Sequence, residues 1–137
     1  MNTHPYLRAY MAGITFPTMF LLIIVTLFTV ARYVYHIPVP IERIIVFPMA
    51  IVPNVWGVWN MFYLFLHSRR RLPIGLHGAI IPFLLAPLAY TISHFIGFPI
   101  PAFAVSIFPF SFPMAVLAHY FLWKHLVSFF NGLLGVA

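Results

Sequence analysis

The chain holds seven histidines, a single glutamate, no cysteine and no aspartate. Imidazole therefore carries most of the chemistry open to it: metal or haem ligation, proton transfer near neutral pH, or hydrogen bonding between helices. Three apolar stretches repeat one arrangement. Pro48-x4-Pro53 is followed by Asn60, Pro82-x4-Pro87 by His94, and Pro109-x3-Pro113 by His119. In each, a strong polar side chain follows a pair of prolines within sequence otherwise suited to lipid. A proline removes a backbone donor, and a polar side chain in that setting needs a partner, so the repeat marks departures from plain apolar rods.

A b-type haem held by a helical bundle needs two imidazoles from different helices at one depth. His36 with His94 meets that requirement on one side of the chain, His67 with His119 meets it less well on the other, and His94 with His119 fails on depth. His119 and His125 are six residues apart and so diverge by roughly 120° around a regular helix. No HExxH or HxxxH pair occurs. The expectation is no metal site and no resident cofactor, with haem b kept as an alternative. The scarcity of acids excludes paired-carboxylate catalysis, dinuclear carboxylate metal sites and aspartyl phosphorylation. The lack of cysteine excludes thiol–disulfide exchange, thiolate ligation and covalent haem attachment. Ser93 and His94 are sequence neighbours, and no Gly-x-Ser elbow precedes a helix, so a serine hydrolase is not supported either.

Helical spacing and depth sort the polar residues into three candidate groups. Asn60, Tyr63 and His119 fall in one half of the spans and form the candidate intramembrane polar site. Arg32, His36, Glu42 and His94 gather at the outer ends. His67, Arg69, Arg70, Arg71, His77 and Lys124 gather at the inner ends, where they set topology or meet lipid headgroups. The plainer reading is interfacial solvation for His36, His67 and His77, and interhelical hydrogen bonding for His94 and His119. Thr15, Thr18, Thr26 and Thr29 lie broadly along one side of span 1, where back-bonding to their own helix is the simplest role.

The elements that must position these residues follow from hydropathy. Of 137 residues, 64% are hydrophobic and 6% charged, with a mean hydropathy of +1.04. Soluble domains carry about 25% charged residues, so the chain is expected to be an all-α integral membrane protein. It forms one domain, residues 1–137, with spans at about 13–36, 41–68, 74–97 and 103–130. Short connections predict an antiparallel four-helix bundle, several of its helices proline-kinked. Pro17, Pro48, Pro82 and Pro109 read as helix starters, whereas Pro53, Pro87 and Pro113 lie deeper and bend their helices. The segment from Pro99 to Phe108 reads as interfacial or partly re-entrant. The first apolar run is too long for a cleavable signal and reads as the first span.

The net charge of +6 arises from seven Lys and Arg placed at the ends of apolar segments, which indicates topology rather than nucleic-acid binding. Arg8, Arg69, Arg70, Arg71 and Lys124 share one side against Arg32 and Arg43 on the other. Five bases against two place both termini in the cytoplasm, with the chain in a cytoplasmic or inner membrane. The functional expectation is a non-enzymatic membrane protein, a self-assembling or accessory scaffold subunit. Its partners are the lipid bilayer and either copies of itself or a larger membrane complex. The alternatives are a homo-oligomeric transporter or channel with a path through Asn60 and His119, and an electron-transfer protein binding haem or quinone.

Overall fold

The computed structural model describes residues 4–67 and 72–136, and every regular element among them is helical. Helix α1 covers Pro5–Tyr33. Helix α2, Ile41–Ile44, passes through a π-helical turn at Ile45–Met49 into α3, Ala50–His67. A single turn residue, Ile80, separates α4, Ile74–Ala79, from α5, Ile81–Phe95. Helix α6, Ala102–Leu122, passes through a second π-helical turn, Trp123–Val127, into α7, Ser128–Leu133. Four helical lengths result: Pro5–Tyr33, Ile41–His67, Ile74–Phe95 and Ala102–Leu133. They have 22 to 32 residues and mean hydropathies of 1.5 to 2.3, long and apolar enough to cross a membrane. The chain is thus membrane-embedded. Arg69, Arg70 and Arg71 lie outside the described residues.

The prolines divide in a way that spacing alone did not anticipate. Pro82 does stand in the first turn of α5, and Pro5 opens α1. Pro17, Pro48 and Pro109, also expected as starters, are instead interior residues. Pro48 falls within the first π turn, where the hydrogen-bond ladder already changes register and a missing N–H disturbs it least. Around Pro82, Ile80 and Phe83 take the tighter i→i+3 bonds to His77 and Ile80. The segment expected to be interfacial or re-entrant is irregular only as far as Pro101 and helical from Ala102.

Three helix ends are followed by residues with left-handed backbone, Gly97, His36 and Gly135. Gly97, at φ 68°, follows α5 while Phe98 N–H donates to the Ser93 carbonyl at 3.0 Å. That pattern satisfies a terminal carbonyl, and glycine enters it without a Cβ clash. Gly135, at φ 64°, occupies the equivalent place after α7, with Val136 N–H donating to the Asn131 carbonyl at 2.8 Å, while His36, at φ 55°, stands three residues past α1.

Burial is concentrated at one end of the molecule. In α1 it stops at Pro17: Ala9, Ala12, Gly13 and Pro17 are buried and nothing after them is. In α3 it runs from Pro53 to Tyr63. The other buried positions are Gly75, His77, Gly78, Ile81 and Pro82, then Trp123, Val127 and Asn131, with Ile41 standing apart. Beyond Pro82, α5 buries nothing, and α6 buries nothing along its whole length. Glycines set the closeness of the packed end. A Cβ on Gly13 would stand 2.6 Å from the Trp56 carbonyl oxygen and 2.9 Å from the Cα of Gly57. A Cβ on Gly75 would stand 2.9 Å from the Tyr120 ring, and one on Gly78 would enter the Trp123 side chain. Lipid is as apolar as leucine, so helices in a membrane associate through this kind of close backbone approach and through polar contacts.

Candidate functional site

The deepest polar group in the packed end is Asn60, fully buried on α3. Its side-chain amide donates to the Ala9 carbonyl of α1 at 2.7 Å and to Oδ1 of Asn131 on α7 at 2.7 Å. Asn131, 1% exposed, returns a bond from Nδ2 to Oδ1 of Asn60 at 3.1 Å. Three helices are therefore joined by one reciprocal amide pair and one backbone carbonyl. Each amide oxygen and each amide nitrogen of the pair has a partner, as a site away from water requires.

Aromatic and imidazole groups flank Asn60, about one turn to either side along α3. Trp56, 2% exposed, is 5.3 Å from the His119 ring and 5.7 Å from the Trp123 ring, centroid to centroid. His77 follows, 5.7 Å from Trp123 and 5.2 Å from Tyr63, and it stacks on Trp59 at 4.7 Å. His77 and Trp59 also clasp reciprocally. Trp59 Nε1–H donates to the His77 carbonyl at 2.8 Å, and His77 Nε2 lies 3.1 Å from the Trp59 carbonyl. Only a protonated Nε2 can donate there, so in the neutral ring Nδ1 is the bare nitrogen. His119 Nδ1 lies 2.8 Å from the Ala115 carbonyl of its own helix, which in the neutral ring leaves Nε2 bare. The indole N–H groups of Trp56 and Trp123 are buried without a hydrogen-bond partner among the described residues.

The intramembrane candidates are thus gathered at one end, with a pattern of contacts that spacing did not give. Asn60 bonds to Asn131 and Ala9, not to His119, while Tyr63 and His119 sit in the aromatic layer. His77, assigned to the interface from sequence, is 2% exposed and is a central member of that layer. Gly78 beside it admits the Trp123 ring, and this removes His77 from the helix surface. His67 meets the Tyr63 ring at 5.2 Å, and Lys124 lies over the Tyr120 ring at 5.8 Å. At the opposite end, Arg32 Nη1 and Glu42 Oε1 pair at 2.6 Å. His94 is exposed, with its neighbour Phe95 as ring contact, and His36 is exposed beyond the end of α1. No two imidazoles are in ring contact, and no group of three or more His, Cys, Asp or Glu able to hold a metal ion occurs among the described residues. Three of the span 1 threonines satisfy themselves within α1: Thr15, Thr26 and Thr29 donate to Met11, Leu22 and Val25 carbonyls at 2.6–2.8 Å.

Asn131, Ala9 and Tyr10 are the participants that sequence reasoning missed. Tyr10 donates to Oδ1 of Asn54 at 2.5 Å, a second polar link between α1 and α3. All three lie outside the apolar limits of residues 13–36 and 103–130, because helix α1 begins at Pro5 and the last helix continues to Leu133. The one available signal was a second asparagine near an apolar segment. Chemically, the arrangement fastens helices: every amide nitrogen and oxygen of the pair has a partner, and its imidazoles each spend one nitrogen on a backbone carbonyl. Comparison with protein-family models, curated proteins and solved structures finds no match to this chain.

Proposed function

We propose that this protein is a small non-enzymatic subunit of a membrane assembly, either self-associating or accessory to a larger complex. The observation that carries the reading is the uneven use of its helices. The amides of the packed end are spent on one another, while α6 buries no residue and leaves nearly all of its first half exposed. Phe103 and Phe110 on that helix are 68% and 79% exposed. A helix of this length with no buried residue is well suited to receive a neighbouring helix.

In this reading the four spans form an antiparallel, proline-kinked bundle. Arg32 meeting Glu42 and Tyr10 meeting Asn54 favour that course for the first two helices. The distribution of arginine and lysine favours cytoplasmic termini in an inner membrane. A path through Asn60 and His119 is less well served, since the hydrogen bonds of Asn60 are already taken by Ala9 and Asn131.

The experiment is gentle extraction from the native membrane followed by mass measurement and cross-linking from single cysteines. Phe103→Cys and Phe110→Cys on α6 are expected to cross-link to a second copy or to a partner chain. A strictly monomeric particle at all concentrations, with no cross-link from α6, would overturn the proposal. The visible spectrum of the same extract tests the haem alternative, which requires a Soret band.

A further inference from the structure

Away from the packed end, the start of the second span and the end of the third enclose a cleft of about 440 Å³. Its walls include Phe47 and Pro48 from the first π turn, Ala89 and Ile92 from α5, and Ala104 from α6. Arg43 is its one fully charged lining residue. A second cleft of about 510 Å³, lined by Tyr90 and His94 among others, adjoins the first, sharing Ser93 and Phe98–Ile100 with it. Each falls within the roughly 300–1,000 Å³ typical of ligand pockets.

The charge at this rim is uncompensated. Glu42, the chain's single acid, is engaged by Arg32 at 2.6 Å. Arg43 is exposed, and its side chain makes no hydrogen bond or ion pair among the described residues. It stands in the first turn of the helical length beginning at Ile41, where a span meets the headgroup layer. An apolar cleft running from a lone guanidinium into the span matches an amphiphile with an anionic head and apolar tails. A guanidinium also pairs with phosphate through two parallel N–H···O bonds.

We infer that this cleft is a binding site for one anionic phospholipid, its phosphate on Arg43 and an acyl chain between the first π turn and α5. The inference is independent of the assembly proposed above, because it needs only a single chain in lipid.

Native mass spectrometry of the full chain in detergent tests it, titrating phosphatidylglycerol against phosphatidylcholine of the same acyl chains. Wild type is expected to take one phosphatidylglycerol about tenfold more tightly than phosphatidylcholine, which corresponds to about 1.4 kcal/mol. Arg43→Gln should bring phosphatidylglycerol down to the phosphatidylcholine level, while Lys124→Gln leaves the preference intact. Ala89→Phe, which fills the wall, should weaken both lipids, and Ala104→Phe serves the same purpose if the first variant does not fold. Equal binding of the two lipids by wild type would overturn the inference, as would a preference that survives Arg43→Gln. A preference lost only on changing Arg69, Arg70 and Arg71 together would assign it to that basic run and equally overturn it. So would finding the cleft filled by a second copy, seen as dimer lost with Ala89→Phe while no lipid binds.

Discussion

The two ends of this molecule are built on different terms. At one end α1 packs on α3, and α4 packs on the last turns of α6 and the second π turn, closely enough that Gly13, Gly57, Gly75 and Gly78 have no room for a methyl group. Asn60, Asn131, His77 and Trp59 then add hydrogen bonds between elements. At the other end, α5 beyond Pro82 and the first half of α6 have no buried residue, and the polar groups sit at a rim. Both ends are strongly apolar, so hydrophobicity does not distinguish them. In lipid it could not, because burying a leucine against protein gains little over leaving it among acyl chains. What distinguishes them is steric fit and hydrogen bonding.

Enlarging a glycine at the packed end should break that contrast most strongly. Gly78→Leu must displace Trp123 and is expected to cost at least as much as Trp123→Ala, about 3–5 kcal/mol on the scale of large-to-small core changes. Ala102→Leu at the start of exposed α6 should stay within about 0.5 kcal/mol. Denaturant titration in bicelles, followed by tryptophan fluorescence, measures both; equal effects would remove the distinction. Trp123→Ala set against Phe110→Ala poses the same question by truncation, with about 3 kcal/mol or more expected for the first and under about 0.5 for the second.

The polar lock comes next in size. Asn60→Leu strands the amide of Asn131 and should cost about 1–3 kcal/mol. A double-mutant cycle with Asn131→Leu should return a coupling of about 0.6–1.7 kcal/mol, the range for hydrogen bonds between membrane helices. Zero coupling would show that the two amides are independent. Trp59→Phe removes one half of the reciprocal clasp with His77 and should cost about 1 kcal/mol, with amide hydrogen exchange rising first in α4. The smallest effect belongs to the open end. Glu42→Gln breaks an exposed ion pair and should leave the unfolding midpoint unchanged. A clear loss of stability there would mean that the rim supports the fold as strongly as the lock does.

Particular residues show how far the sequence could be read. The limits of the second and third helices, residues 41–68 and 74–97, are near the observed Ile41–His67 and Ile74–Phe95, because charged and proline-rich segments bound them on both sides. The first and last helices run past their apolar limits, and Ala9, Tyr10 and Asn131 lie in those extensions. Asn60 was recognisable as a residue needing a partner, but its partner was not. At 3.6 residues per turn, the steps from His119 to Trp123, Val127 and Asn131 each drift by about 40°, which would carry Asn131 away from the core. The π turn at Trp123–Val127 is wider and offsets part of that drift, so Trp123, Val127 and Asn131 are all buried. Nothing in the local composition announces that turn, since no proline lies in it.

His77 illustrates the same limit from the opposite side. Its position near the triple arginine suggested solvation, and the rings of Trp59, Tyr63 and Trp123, the last over Gly78, enclose it. The sequence by itself determined that the chain is helical and membrane-embedded, that carboxylate and thiol chemistry are almost absent, and that a few polar side chains would require partners. Those are sums over composition and runs of hydropathy, which each segment carries alone. Which polar group meets which was decided by the tertiary structure. A hydrogen bond depends on the rotation and depth of two helices at once, and here a π turn and a few glycines set both.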